Sequence, residues 1–265
     1  MWRSLRSAGS SMAVRPTVLV IAGVDSSGGA GLTRDVCVLA DFEVDALCAV
    51  TAVTAQSNSR VNAVHHVPPE VVGAQIAAAF ATREIGAVKI GMLGVRATVE
   101  AVSKALPSRV PIVLDPVLAA TSGGMLLDPD GRQAMRETLF PRITLVTPNV
   151  PEAAALLGED SANTEFELIA QAERLLTLGP RAVLIKGGHS IGEEAVDLLV
   201  SGNIPAQRIA SRRVNAIRRG MGCALASAIA AGLASGVPLG EACERAKRHM
   251  VTILSGSRCR SRLRM

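Results

Sequence analysis

An α/β fold, with a mostly parallel central sheet and helices on both faces of a single domain, is predicted by three observations. Short apolar runs alternate with longer segments of helical periodicity along the chain. Gly- and Ser-rich loops follow several of the apolar runs, where a strand gives way to a helix. No repeat or low-complexity linker interrupts the alternation, and 265 residues with 49% hydrophobic content suffice for one large buried core. Alternation of this kind yields a parallel sheet sandwiched between helices.

Taken in order, strands are expected at 17–22, 45–53, 87–90, 112–115, 144–147, 182–186 and 195–200. Helices are expected at 31–42, 69–84, 96–106, 130–139, 150–157, 165–178, 223–235 and 239–255. The first run, TVLVIA, is rich in β-branched residues and breaks into Ser and Gly before a helix restarts. Pro69 and Pro151 suit the first turn of a helix. Thr164, with Glu167 three residues on, has capping-box spacing. The runs at 195–200 and 206–214 suit an antiparallel edge as well as further parallel strands. The expected organisation is an N-terminal extension at 1–15, the folded domain at 16–255 and a basic tail at 256–265.

Composition narrows the partners. The net charge of +5 is mild, and much of it lies at the chain ends, in Arg3, Arg6, Arg258, Arg260, Arg262 and Arg264. With aromatics at 2%, no Tyr and one Trp, the chain lacks stacking platforms, so no nucleic-acid partner is expected. No apolar run has the length of a membrane span, so no membrane partner is expected either. Five cysteines without C-x-x-C spacing point to reduced thiols and a cytoplasmic protein. The Arg- and Ser-rich segment 1–15 suits a transit peptide or an extension upstream of a natural start at Met12; the second reading is preferred.

Four places carry chemistry. Residues 219–223 read RGMGC and run into a small-residue helix. Glycines at a helix start let unpaired N–H groups and the positive dipole end meet an anion. Cys223, in that first turn, is expected to be acidified. The loop at 23–35, GVDSSGGAGLTRD, lies where a parallel strand hands a ligand to the following helix, but it has neither Walker nor dinucleotide spacing. Asn149 and Glu152, three apart at a helix start, either share a hydrated Mg²⁺ or form a helix cap with a first-turn acid. Asp115 and Lys186 each end a strand; the lysine, set among glycines, can reach a phosphate as a point charge or stand exposed.

The segments GVDSSGGAGLTRD, TAQSN, KIGMLG, LDPV, TPNVPEAAALL, IKGGH and GMGCALASAIAA occur in this order. Together they resemble the hydroxymethylpyrimidine/phosphomethylpyrimidine kinases of thiamine biosynthesis, in the ribokinase-like superfamily, over roughly residues 16 to 250. The resemblance implies ATP-dependent phosphorylation of a hydroxymethyl aminopyrimidine and then of its monophosphate, with Mg²⁺, in a homodimer. It implies that Cys223 takes the hydroxymethyl proton and that the backbone of Gly220, Met221 and Gly222 holds the charge on the transferring phosphoryl. It carries Asp35 and Gln56 onto the pyrimidine, with Gly23, Met92 and Val117 as walls. A Gln amide complements an amine beside a ring nitrogen, and a thioether packs well on an aromatic face. Asp115 and Lys186 then meet the nucleotide phosphates, Asn149 and Glu152 hold the metal, and His189 is structural.

The chain also departs from the family pattern. Where the family reads Asn-Thr-His-Gly-Thr-Gly-Cys-Thr, residues 217–224 read IRRGMGCA: both glycines and the cysteine stay, and every hydroxyl is gone. Arg218 and Arg219 are expected either to replace lost phosphate contacts or to block the nucleotide site. Thr121 stands for a usual lysine, the segment after 256 differs, and Val24, Ser57 and Arg60 depart on the pyrimidine side. Two other readings stay open. One is a pyridoxal kinase, against which Cys223 and Gln56 argue. The other is a catalytically weak pyrimidine-binding paralogue.

Overall fold

The computed structural model describes residues 15–120, 124–187, 192–202, 204–216 and 218–256. One nine-stranded sheet organises them, in the order β3-β2-β1-β4-β5-β6-β7-β8-β9. The strands are β1 (Thr17–Asp25), β2 (Asp45–Gln56), β3 (Val61–His66), β4 (Ala87–Ile90), β5 (Ile112–Leu114), β6 (Leu145–Val146), β7 (Val183–Lys186), β8 (Glu194–Val200) and β9 (Gln207–Arg212). Strands β2, β1, β4, β5, β6 and β7 run parallel. β3, β8 and β9 pair antiparallel at the two edges.

The helices are α1 (Gly31–Asp41), α2 (Pro69–Thr82), α3 (Arg96–Ala105), α4 (Pro129–Ala134), α5 (Val150–Leu157), α6 (Glu165–Thr177), α7 (Met221–Ala234) and α8 (Leu239–Leu254). They cover both faces of the sheet. Along β1, Leu19 and Ile21 point into one core with residues of α2, α3, α5 and α6. Val18, Val20 and Ala22 point into the other, with α1, α7 and α8. Both sets are buried because a parallel strand covered on each face hides every residue, which is why TVLVIA reads as a continuous apolar run. With few aromatics available, α7 packs through small residues, and Ala224 to Gly232 are all buried. Each Leu or Val removed from water on these faces contributes about 1.5–3 kcal/mol.

Three expectations change. The strand expected at 45–53 extends to Gln56 and turns back as β3, an edge strand absent from the sequence reading. Its residues, VNAVHH, are mostly half-buried or exposed and show no clean alternation. The helix expected at 130–139 is α only to Ala134, then forms a π-helical turn over Met135–Leu139 and a 3₁₀ turn over Phe140–Arg142. Pro141 accounts for the break, since its ring clashes with the carbonyl four residues back and it has no N–H to give. Finally, α7 begins at Met221 rather than 223. The calls on Thr121, His189 and Ile217 fall outside the described residues, as do those on 1–14 and 257–265.

Candidate active site

Chain order reverses at β1: β2 lies on one side and β4 on the other. In an open α/β sheet, ligands bind beyond the carboxyl ends of the strands at such a switch. The loops after β1, β4, β5, β6 and β7 carry Ser26–Ala30, Met92, Asp115–Val117, Asn149 and Gly187, with Lys186 ending β7. The predicted site residues thus share one edge of the sheet.

On the β1–β2–β4 side, Gly23 and Met92 are in contact. A Cβ added at Gly23 would lie 3.0 Å from Met92 Sδ. The Met92 carbonyl accepts a 2.6 Å hydrogen bond from Thr51, which fixes the methionine across the β1/β4 switch. Gln56, half-buried at the end of β2, is tied by its backbone to Ser26: its N–H donates to Ser26 Oγ at 2.9 Å, and that hydroxyl donates to the Gln56 carbonyl at 3.0 Å. Val117 is half-buried after β5, so part of its side chain is available as a wall.

On the β5–β6–β7 side the site is built from charge. Lys186 Nζ lies 2.8 Å from Asp115 Oδ1 and 3.6 Å from Glu152 Oε2. A Cβ added at Gly222 would sit 3.1 Å from Lys186 Nζ and 3.5 Å from Asp115 Oδ2, so the first turn of α7 faces this triad. Gly220 is in the left-handed region (φ 71°), and a Cβ there would come within 2.4 Å of the Gly29 carbonyl. Only glycine tolerates both conditions. The first helical hydrogen bond runs from the Ala224 N–H to the Gly220 carbonyl. The N–H groups of Met221, Gly222 and Cys223 therefore have no partner within the helix, and they point from its positive end. Burial pushes the Glu152 carboxyl up, against the pull of Lys186. Burial works against the Lys186 ammonium too, but Asp115 and Glu152 outweigh it and raise its pKa. Lys186 is charged at any ordinary pH.

The structure gives four of these positions surroundings that the sequence alone does not fix. Cys223, half-buried in the first turn of α7, is not an acidified thiol: loss of water, with the charges of Asp35 and Asp115, outweighs Lys89 and the Gly31 N–H and pushes it up to about 12. The helix dipole is weaker than that loss of water. Asp35 lies beneath the site rather than on its surface. It is fully buried, with Oδ2 2.7 Å from Lys89 Nζ and Oδ1 accepting from Ser227 Oγ at 2.8 Å. Asn149 and Glu152 form a reciprocal capping box: Asn149 Oδ1 accepts from the Glu152 N–H, and Glu152 Oε2 from the Asn149 N–H, both at 2.8 Å. Each of the two thus commits one side-chain oxygen to the helix start, and Glu152 Oε2 also lies 3.6 Å from Lys186 Nζ. Arg219, expected beside the phosphates, turns toward Asp25, 3.1 Å away.

Sequence reasoning missed Lys89, which is entirely buried within β4 and closes the ion pair with Asp35 beneath the site. Burial opposes its charge, yet Asp35, Cys223 and Asp115 together push it up to about 12. Removing one member of such a pair costs about 3–5 kcal/mol. A lysine inside an otherwise apolar strand was the available signal, because a buried ammonium requires an acid partner. Ser227 carried no comparable mark.

The chain was compared with known proteins. The family model described as phosphomethylpyrimidine kinase matches residues 25–260. A hydroxymethylpyrimidine/phosphomethylpyrimidine kinase of Rhizobium meliloti is 43% identical over 244 residues, covering 90% of each chain. Among solved structures, the phosphomethylpyrimidine kinase of Clostridium difficile is similar with a TM-score of 0.79 at 34% identity, over 91% of this chain and 100% of that one. A pyridoxal kinase of Staphylococcus aureus, in complex with AMP-PCP and pyridoxal, matches with a TM-score of 0.82 at 27% identity, over 92% of this chain and 89% of that one. Among the described residues, no helix is long and apolar enough to cross a membrane. With the ribokinase-like sheet, the glycine-bounded helix start and the lysine between two carboxylates in place, these matches make the chain a phosphotransferase that belongs to the phosphomethylpyrimidine kinase family.

Proposed function

We propose that the chain transfers the γ-phosphoryl group of ATP to 4-amino-5-hydroxymethyl-2-methylpyrimidine and then to the resulting monophosphate, as a kinase of thiamine biosynthesis. The observation that carries this is the apposition of Lys186 to the N-terminal turn of α7, with its ammonium 3.1 Å from where a Cβ on Gly222 would sit. A point charge and a set of unpaired N–H groups then converge where a phosphoryl group would pass.

In this reading Gln56 reads the aminopyrimidine edge, while Gly23, Met92 and Val117 close around the ring. The N–H groups of Met221, Gly222 and Cys223 hold the equatorial oxygens of the phosphoryl in transit. Lys186 stays protonated and neutralises the nucleotide phosphates, and Asp115 orients it. Cys223 is the side chain placed to take the hydroxymethyl proton, which it accepts through the small thiolate fraction that its raised pKa leaves. The donor set fits Mg²⁺: Asp115 and Glu152 present hard carboxylate oxygens on the phosphate side, and this ion binds through one or two carboxylates with water. When bound, the ion supplies further neutralisation of phosphate charge. Asn149 orients Glu152 for that role. The same proposal includes a homodimer working in the cytoplasm.

The likeness to pyridoxal kinases favours a second reading, in which the hydroxymethyl group belongs to pyridoxal. Turnover with Mg-ATP and each of three acceptors tests both. The pyrimidine and its monophosphate are expected to give mono- and diphosphate, with pyridoxal slower. Preference for pyridoxal would establish the second reading, and absence of any turnover with retained pyrimidine binding would make the chain a binding paralogue.

A further inference from the structure

Arg219 stands one residue before the glycine that opens α7, yet its guanidinium reaches across the site to two other loops. Its Nη2 lies 3.1 Å from Asp25 Oδ2. Its Nη1 donates to Ser27 Oγ at 3.0 Å, to the Ser57 carbonyl at 2.9 Å and to Asn58 Oδ1 at 3.2 Å. Two of these acceptors belong to the turn after β1 and two to the turn between β2 and β3. Side-chain exposure is only 14% for Arg219 and 4% for Asp25, so the pair is shielded from water. Asp25 is itself held in place, since its Oδ1 accepts from the N–H and hydroxyl of Ser27 at 2.9 and 2.8 Å.

We propose that Arg219 is a positioning residue that latches the pyrimidine pocket. It fastens the β1–α1 loop and the β2–β3 turn to the phosphate-binding turn, and so sets where Gln56 sits. The geometry supports this in three ways. The Ser57 carbonyl that holds Arg219 belongs to the residue after Gln56, whose own backbone is tied to Ser26. The guanidinium fork is shared among acceptors on both loops, which a single ammonium point charge cannot match. Its charge is neutralised by Asp25, so it is not available to a phosphate without dismantling the latch. The close approach of Gly220 to the Gly29 carbonyl seals the same seam from the backbone side.

The inference rests on the pyrimidine-kinase reading for its kinetic consequence, but not for the latch itself. Arg219→Gln and Arg219→Lys are each expected to raise the KM for the hydroxymethylpyrimidine roughly 10- to 100-fold, the range for losing charge-assisted hydrogen bonds, with the KM for Mg-ATP changed less than about 3-fold. Asp25→Asn is expected to act in the same direction and to be non-additive with Arg219→Gln. Amide hydrogen exchange is the second readout. Faster exchange at Gln56 and Ser57 is expected in Arg219→Gln, with β4 and β5 unchanged. A parallel rise in the ATP KM would place Arg219 on the nucleotide and overturn the proposal. So would full rescue by lysine, or loss of protection throughout the sheet. If the native chain binds no pyrimidine, the functional reading fails, while the exchange pattern still decides the latch.

Discussion

Lys89 and Lys186 each close an ion pair near the carboxyl edge of the sheet, yet the two pairs differ in what surrounds them. Lys89 and Asp35 are both 0% exposed, locked between β4, α1 and α7. Lys186 is 14% exposed and Asp115 3%, with a second carboxylate, Glu152, alongside. In the first pair one ammonium meets one carboxylate, which also accepts from a serine hydroxyl, and burial keeps water away from all three. The second carries an excess acid and an open face toward the α7 turn, so a cation and a phosphate can both add to it. The difference teaches that acid–base identity alone does not mark a working group. What marks it is a charge that the fold leaves partly uncompensated and partly wet.

The same contrast separates the two halves of the site. In the proposed reading the pyrimidine side is walled by Gly23, Met92 and Val117 and reads its ligand through one amide, whereas the phosphate side works through charge and backbone N–H groups. If that division holds, a substitution on one side changes rate and a substitution on the other changes affinity. The largest expected effect is on the phosphate side. Cys223→Ala is expected to lower kcat about 10²- to 10⁴-fold, the usual range for a general base, with pyrimidine affinity held within a few-fold. Steady-state turnover and calorimetric titration of the same variant check it. A variant that keeps most of the native turnover would remove the thiol from the chemistry and leave the backbone N–H groups and Lys186 as sufficient.

A smaller effect is expected across the site. Gln56→Ala loses hydrogen bonds to a buried polar partner, which costs about 1–3 kcal/mol. The dissociation constant for the hydroxymethylpyrimidine is expected to rise by roughly 5- to 150-fold, and that for Mg-ATP to stay nearly unchanged. Equal losses for both ligands would show that the Gln56 side chain acts through the fold, by its 3.3 Å contact with Thr54 Oγ1, and the division between halves would dissolve.

How far these residues were legible in the sequence depends on how local their determinants are. The parallel core was legible because burial on both faces writes itself as unbroken apolar runs, as in β1. Glycine positions 220 and 222 were legible because a helix start that receives an anion needs them within a few residues. β3 was not legible, since an edge strand half in water carries no periodic signature. The fate of Asp35 was not legible either. Its environment is set by Lys89, 54 residues away, and by Ser227, 192 residues away. Arg219 shows the same limit. Read locally it is a cation beside an anion site; in the fold it serves Asp25 and two loops on the other side. The capping box of Asn149 and Glu152, one of two readings that their spacing allowed, is formed, and the metal reading stands beside it as a proposal.

Cys223 interacts with both lysines, so titrating its thiol sharpens the comparison between them. Burial holds the Cys223 thiol at about 12, and Asp35 and Asp115 add to the shift while Lys89 and the Gly31 N–H oppose it. A folded-state pKa above the ordinary thiol value means that the neutral form is the stable one. The stabilisation is complete below the unfolded value and is lost as pH rises from about 9 toward about 12. At neutral pH the thiolate fraction is then about 1,000-fold lower than for an ordinary thiol. Nucleophilicity rises with pKa and recovers about 30-fold of that, which leaves alkylation roughly 30-fold slower before any steric shielding. Peptide mapping after timed iodoacetamide treatment is expected to show Cys223 lagging a free cysteine by at least this factor. Its rate is expected to climb about tenfold per pH unit until the thiol titrates. Rapid labelling at neutral pH would mean that Lys89 and the dipole of α7 outweigh burial. The pair beneath the site would then not be self-contained, and Lys89 would belong with Lys186 among the working charges.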